Sequence, residues 1–475
     1  MATIGAMPTP ATPPPPLTAH RLSGHLQALE HGLLERGTAA RLLLLAALAG
    51  EHVLLIGPPG TAKSELARRL HRAFDGARYF ERLLTRFSTP EELFGPLSLK
   101  ALEDDRYERL IDGYLPTAAI AFLDEVFKAN SAILNALLTL LNEREFDNGA
   151  ARLHTPLISV VGASNETPSD ESLLAFHDRF LLRVPVAPVG DEAFVALLQL
   201  SGDPGPAPPP PITAAERAAL LRARDRVALG DEALAALAAL RQAAAALTQP
   251  VSDRRWRQLV ALMRCAAAAE GRDSVDAVDL WLAPFVVAQD PSAQPQLADW
   301  FARTQLQSVP QPLSWLAQAV TAFEKQLEIE QSLPAEAAAD PDDAAGKLAL
   351  ARSMGGQDEP GGLQRIVSAT LEARQRRHFS PLHRATRLAQ VDELAGRVAD
   401  AHDQVTRQHD ALARRLDGRF WLPPTLADGW LGAHRQTLAT VAGHAGRLQR
   451  CRDGFAALPL DATLPARAPA AVRTD

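Results

Sequence analysis

The sequence predicts an α/β core, a parallel sheet with helices on both faces, followed by an all-helical lid and a helical carboxy-terminal domain. Three observations carry the prediction. The apolar run at 52–56 passes through a glycine-rich turn into an amphipathic stretch at 64–74, the strand–turn–helix opening of a βαβ unit. Further apolar runs at 119–123 and 157–162 end in polar residues and alternate with helical stretches, which implies parallel strands with a ligand at their carboxyl ends. Beyond SGDPGPAPPPP at 201–211, the leucine and alanine spacing is helical.

A chain of 475 residues exceeds what one core holds, about 250 residues, so two to four domains are expected. With 47% hydrophobic and 22% charged residues it is neither wholly disordered nor polytopic. A net charge of −7 argues against a bulk polyanion binder. Cys265 and Cys451 stand far apart in no ligand spacing, so neither a disulfide framework nor a zinc site is expected, and a reducing cytoplasm fits. The longest apolar run, 42–49, is far short of the ~20 residues that span a bilayer.

In chain order, residues 1–17 read as a disordered Pro-rich tail and 18–49 as a helix pair opening a core that extends to 200. Residues 201–211 read as a Pro-rich linker, because proline forms neither helix interior nor central strand. The helical lid covers 212–290 and the helical carboxy-terminal domain 291–475, with a flexible, acidic and glycine-rich stretch at 334–362.

The chemistry begins at Gly57, Pro58, Pro59, Gly60, Thr61, Ala62, Lys63 and Ser64, a phosphate-loop pattern in its proper strand–helix context. Loop and helix N–H groups would face phosphates, Lys63 reach the β and γ groups, and Ser64 ligate magnesium. Ala62 replaces a glycine, and a negative φ is expected there. Lys63 is one of only five lysines in a chain that otherwise uses arginine. The run at 119–123 ends in Asp124 and Glu125: Asp124 suits the magnesium shell and Glu125 the activation of a water. Asn165, at the tip of the strand between the two motifs, is a sensor candidate that would bridge this water. Arg179, at a helix end, is a candidate finger for a neighbour's γ-phosphate. In VSDRRW a serine caps a helix whose first turn holds Arg254 and Arg255; cations oppose the helix dipole there, so an anion should compensate, and either arginine is a candidate nucleotide sensor of the lid.

This ordered set resembles the AAA+ ATPases of the MoxR group, and within it the RavA subfamily, through TRFSTPEELFGPLS, YERLIDGYLP, FLDEVFKA, ILNALLTLLNERE, ASNE and VSDRRW over about 18–333, and again near 386–451. The resemblance implies a five-stranded αβα AAA+ core, a helical lid and a discontinuous helical carboxy-terminal domain. It implies hairpin inserts near 96–116 and 144–156, ATP and Mg2+ as ligands, a homo-hexameric ring, a protein client, and a von Willebrand factor A (vWA) domain partner. An Asn-Gly turn at 148–149 independently supports the second insert. The RavA type carries a long β-rich insert for a lysine decarboxylase where this chain has only about 50 residues without strand alternation, which argues against that partner. The leading function is thus an ATP-driven remodeller of a protein or of its metal-cofactor assembly. The competing one is a DNA-handling motor, favoured by seven arginines against three acids at 363–397. Phe420, Trp421 and Trp430 either staple two helices at their connection or form a docking surface.

Overall fold

The computed structural model describes residues 17–473 apart from 169, 201, 203–204, 248–250, 308–312 and 333–376. The Pro-rich tail up to residue 16 and the stretch expected to be flexible at 334–362 therefore lie outside the described residues. Two compact units emerge: residues 1–307 with 415–428, and residues 308–414 with 429–475.

In the first unit, helices α1 (Ala19–Glu30) and α2 (Gly37–Ala49) lead into β1 (Val53–Ile56), α3 (Lys63–Leu70) and β2 (Tyr79–Leu83). Helices α4 (Pro90–Phe94) and α5 (Leu99–Glu103) precede β3 (Ile120–Asp124). Helix α6 (Ser131–Glu143) then leads to the hairpin β4 (Glu145–Asn148) and β5 (Ala151–His154). The strands β6 (Ser159–Ser164) and β7 (Leu182–Pro185) flank α7 (Glu171–His177), and α8 (Asp191–Leu198) follows. Five strands form one sheet in the order β2-β3-β6-β1-β7, all parallel. The apolar runs read from sequence are β1, β3 and β6, the three interior strands, covered on both faces and hence buried and largely hydrophobic. The two edge strands carry weaker signals. In β2 only Phe80 is buried, and β7 contains Arg183, a buried cation that breaks its apolar pattern and donates to the Ala288 carbonyl at 2.8 Å.

The second insert is a two-stranded hairpin with Asn148 opposite Ala151, so Gly149, at φ +65°, and Ala150 form the turn. The Asn148 amide accepts from the Arg109 N–H at 2.7 Å and donates to the Arg109 carbonyl at 3.2 Å, tying the two inserts together. The first insert differs from the expected hairpin. A single antiparallel bridge joins Leu97 to Arg109, and α5, capped by Ser98, fills the interval because that side chain satisfies the Ala101 N–H. The described part of the Pro-rich linker is an ordered strap: Pro209 lies against Gly24, and Arg21 donates to the Pro210 and Pro211 carbonyls at 3.0 and 2.7 Å. A guanidinium there satisfies carbonyls that a proline run cannot pair in secondary structure.

The lid comprises α9 (Ala214–Arg224), α10 (Asp231–Ala246), α11 (Asp253–Ala269), α12 (Ala283–Val287) and α13 (Ala293–Thr304). It is not all helical, since β8 (Ala228–Leu229) and β9 (Ser274–Val275) form a short parallel pair. Nor does the carboxy-terminal domain begin at 291: α13 buries Leu297 and Phe301 and packs with α10 and α12. Residues 415–428 also return to this unit. There Arg419 pairs with Asp276 and Asp279, the Trp421 N–H donates to Glu270 at 3.1 Å, and Trp421 is buried. Trp421 is thus a lid-packing residue rather than a free docking aromatic.

In the second unit, α14 (Ser314–Ser332) packs with parts of two long helices, Pro381–Leu416 and Pro424–Ala456. Phe323, Val391, Val398, Val441, Leu448 and Phe455 share its core. Buried Glu330 binds Arg387 at 2.7 Å and His383 at 2.9 Å.

Candidate functional site

All five strands of the sheet run the same way, so the exits of β1, β3, β6 and β7 share one edge. At the exit of β1 the Gly57 N–H donates to the Ser164 carbonyl at 3.0 Å. A Cβ on Gly57 would stand 2.1 Å from the Val186 carbonyl oxygen, so only glycine lets the chain turn here. Arg36 ties this turn together: its guanidinium donates to the Thr61 carbonyl at 3.0 Å and the Ala187 carbonyl at 2.7 Å.

Ala62 corrects the sequence reading. Its φ is +65°, left-handed rather than negative, which explains why a glycine usually stands there. Ala62→Gly is accordingly expected to raise stability by up to about 1 kcal/mol, the left-handed strain relieved less the added entropy of the unfolded chain; urea unfolding measures it.

Helix α3 starts without a side-chain cap, leaving its first N–H groups directed at the loop's concavity. Lys63 is buried, and its ammonium turns back onto the Gly57 and Pro58 carbonyls at 2.7 and 2.8 Å. Burial lowers its pKa, and the charges of Asp124 and Glu125 work against that shift. The Asp124 carboxylate accepts the Glu125 N–H at 3.0 Å. Glu125 itself is left-handed at φ +50°, and both its oxygens are engaged, one by the Asn165 amide at 2.8 Å and the other by the Lys128 ammonium at 3.2 Å. Lys63, Asp124, Glu125 and Asn165 thus meet at one sheet edge. Uncapped N–H donors, a lysine and a glycine turn fit a phosphate chain, while the Ser64 hydroxyl and Asp124 carboxylate are oxygen donors suited to Mg2+.

The arginines lie elsewhere. All five N–H donors of Arg255 are used: one on the Asp178 carboxylate at 3.1 Å and four on the Asp178, Phe180, Leu181 and Val286 carbonyls at 2.8–3.2 Å. Asp178 is the compensating anion sought near the start of α11. Arg254 is exposed, and both its terminal nitrogens reach the Asn142 side-chain oxygen at 3.3 Å, at the end of α6. Residues 178–181 immediately precede β7, and Leu182 is level with Val53. Both arginines therefore sit at the entry end of the sheet, roughly 13 Å along β1 from the loop at 3.3 Å per residue. Neither occupies the place of a sensor for the subunit's own nucleotide. Arg179 lies in the same region: burial lowers its pKa, Arg254 adds to that shift, and its buried Nε has no hydrogen-bond partner among the described residues. Asp178 serves Arg255 rather than Arg179.

Arg255→Met should cost about 3–5 kcal/mol, because it strands Asp178 and four carbonyls together; a lower midpoint in guanidinium unfolding checks it. Sequence reasoning missed Lys128, Arg36 and Asn142. Only Lys128 had a signal, its rarity, together with a place three residues after Glu125.

The MoxR domain described for MoxR-vWA-beta-propeller ternary systems matches residues 20–203, and an AAA lid domain matches residues 232–301. An uncharacterised protein of Methanocaldococcus jannaschii is 42% identical over 263 residues, 55% of this chain and 68% of that protein. The chain is a MoxR-group AAA+ ATPase. Protein MoxR of Paracoccus denitrificans is 33% identical over 178 residues, 36% of this chain and 51% of the relative. A crystal structure of a candidate ATPase from Cytophaga hutchinsonii, 16% identical, covers 60% of this chain and 94% of its own at a TM-score of 0.50, a likeness of fold. Among the described residues of this AAA+ chain, no helix is long and apolar enough to cross a membrane.

Proposed function

We propose that this ATPase works with Mg2+ as a homo-oligomeric ring, hexameric as the resemblance implies, that remodels a protein client or its metal-cofactor assembly together with a vWA-domain partner in the cytoplasm. The observation that carries the reading is the meeting of Lys63, Asp124, Glu125 and Asn165 at one sheet edge while Arg179 and Arg254 stand at the other. One chain then supplies the phosphate cradle and the base, and its neighbour supplies the cations.

In the loaded site, Lys63 exchanges its two carbonyl partners for β- and γ-phosphate oxygens, and the N–H groups of 60–64 hold the remaining charge. Ser64 and Asp124 would hold Mg2+, which would supply neutralisation of the phosphate charge. Asn165 holds the water and Glu125 takes its proton, once one of its two present partners yields. Arg254 and Arg179 act on the neighbour's phosphates, whereas Arg255 has no donor to spare.

The vWA partner is supported by the ternary systems for which the matched domain is described. The DNA-motor reading is weakened by what three of its seven arginines do, Arg365, Arg374 and Arg376 lying outside the described residues. Arg387 is buried on Glu330, Arg397 stacks on Trp315 at 4.4 Å, and Arg384 donates to the Ala456 carbonyl at 3.1 Å. Affinity capture with ATP-loaded Glu125→Gln tests the proposal: a vWA-domain protein from a neighbouring gene should be retained by this variant and lost with Lys63→Ala. Capture of DNA instead, released by salt, would replace the remodelling reading.

A further inference from the structure

Helix α8 follows β7 at the nucleotide edge and has no buried residue. Its apolar side chains nonetheless include Phe194, Val195 and Leu198, exposed by 51%, 61% and 70%, with Leu197 and Leu200 beside them. At roughly 200 Å2 for a fully exposed large apolar residue, these five present about 500 Å2. That is as large as the biggest apolar patch on a typical monomer and over half of what one side of a stable interface needs. The helix is placed firmly: the Gly190 N–H donates to Glu35 at 3.0 Å, and the adjoining Arg36 holds both Thr61 and Ala187. Its first turn carries Asp191 and Glu192.

A complementary surface exists at the other end of the same unit. A groove of about 380 Å3 between α9 and α11 is lined by Trp256, Val260 and Ala261 together with Arg257 and Arg264, while its third arginine, Arg224, is paired with Asp225 at 2.8 Å. Arg254, Arg257, Ala261 and Arg264 fall on one stripe of α11 at helical spacing, about 15 Å long. The groove therefore continues the surface that presents Arg254, and the buried Nε of Arg264 has no hydrogen-bond partner among the described residues.

We propose that α8 of one subunit docks in the α9–α11 groove of the next copy, apolar side chains on Trp256 and Val260 and acidic first turn toward Arg257 and Arg264. The contact joins two different surfaces, so it repeats head to tail, the kind of junction from which a ring is built when its rotation closes. It rests on the trans reading of Arg179 and Arg254, because it seats the arginine-bearing face of one copy beside the phosphate loop of another.

Phe194→Glu with Leu198→Glu should abolish assembly and leave monomer mass in light scattering, and Arg257→Glu with Val260→Glu should do the same. Mixed together, the two variants should form dimers through the one intact junction and no rings. All the substituted side chains except that of Val260 are either exposed or rim the groove, and unchanged thermal melting confirms folding. An independent arm uses Leu198→Cys with Val260→Cys, which should cross-link between chains; native Cys265 and Cys451 are buried. Wild-type assembly by either double variant, or a mixture that stays monomeric without cross-linking, overturns the proposal and gives α8 to a client or to another segment of its own chain. Arg179→Ala should assemble normally and lose hydrolysis. If it assembles and hydrolyses normally, the trans reading fails while the α8 junction is judged separately by mass.

Discussion

Glu125→Gln is expected to keep nucleotide affinity within a few-fold and to lower turnover by roughly 10²–10⁴, the usual worth of a positioned base. The amide keeps the size of the carboxylate and can still accept from Asn165, so the sheet edge is preserved. What it loses is basicity and the ion pair with Lys128, an exposed cation whose contribution to stability is small. Binding, read by the fluorescence of a labelled nucleotide, separates this from loss of the cradle, for which Lys63→Ala is the control. Near-normal turnover in Glu125→Gln would remove the residue from the base role.

Arg179→Ala is expected to lower hydrolysis by roughly 10³–10⁵ while leaving each subunit able to bind ATP. The reason lies in its surroundings: its Nε is buried without a hydrogen-bond partner among the described residues, Asp178 is taken by Arg255, and Arg254 adds a second positive charge nearby. A phosphate from another copy would satisfy both cations. Mixing Arg179→Ala with Lys63→Ala chains should restore part of the activity, because a Lys63→Ala subunit still presents its arginine to a neighbour whose loop is intact. A mixture no more active than its components at any ratio would end the trans assignment.

The chemistry-bearing strands were legible because interior parallel strands are buried and largely apolar up to their exits, as β1, β3 and, after Ser159, β6 are. The loop at 57–64 was legible because a tight glycine turn and a phosphate-reaching lysine need particular residues at fixed spacing. The edge strand β7 was not, since Arg183 interrupts its pattern and is satisfied by a carbonyl more than a hundred residues away. For the same reason, which arginine of VSDRRW remains available could not be read locally. Neighbours in sequence, Arg254 and Arg255 turn to different sides of one helix, and only the packing of α11 against residues 178–181 saturates the second. The sign of φ at Ala62 also had to come from the fold, because alanine's own preference points the other way. By itself the sequence determined the glycine turn with its lysine, the strand-tip carboxylates and the strand-tip amide from which the nucleotide site is proposed, all set by short-range chemistry. The tertiary structure alone decided that the lid arginines lie a strand's length from their own loop, that Trp421 belongs to the lid, and that the described residues leave α8 uncovered, since each depends on contacts between segments distant in the chain.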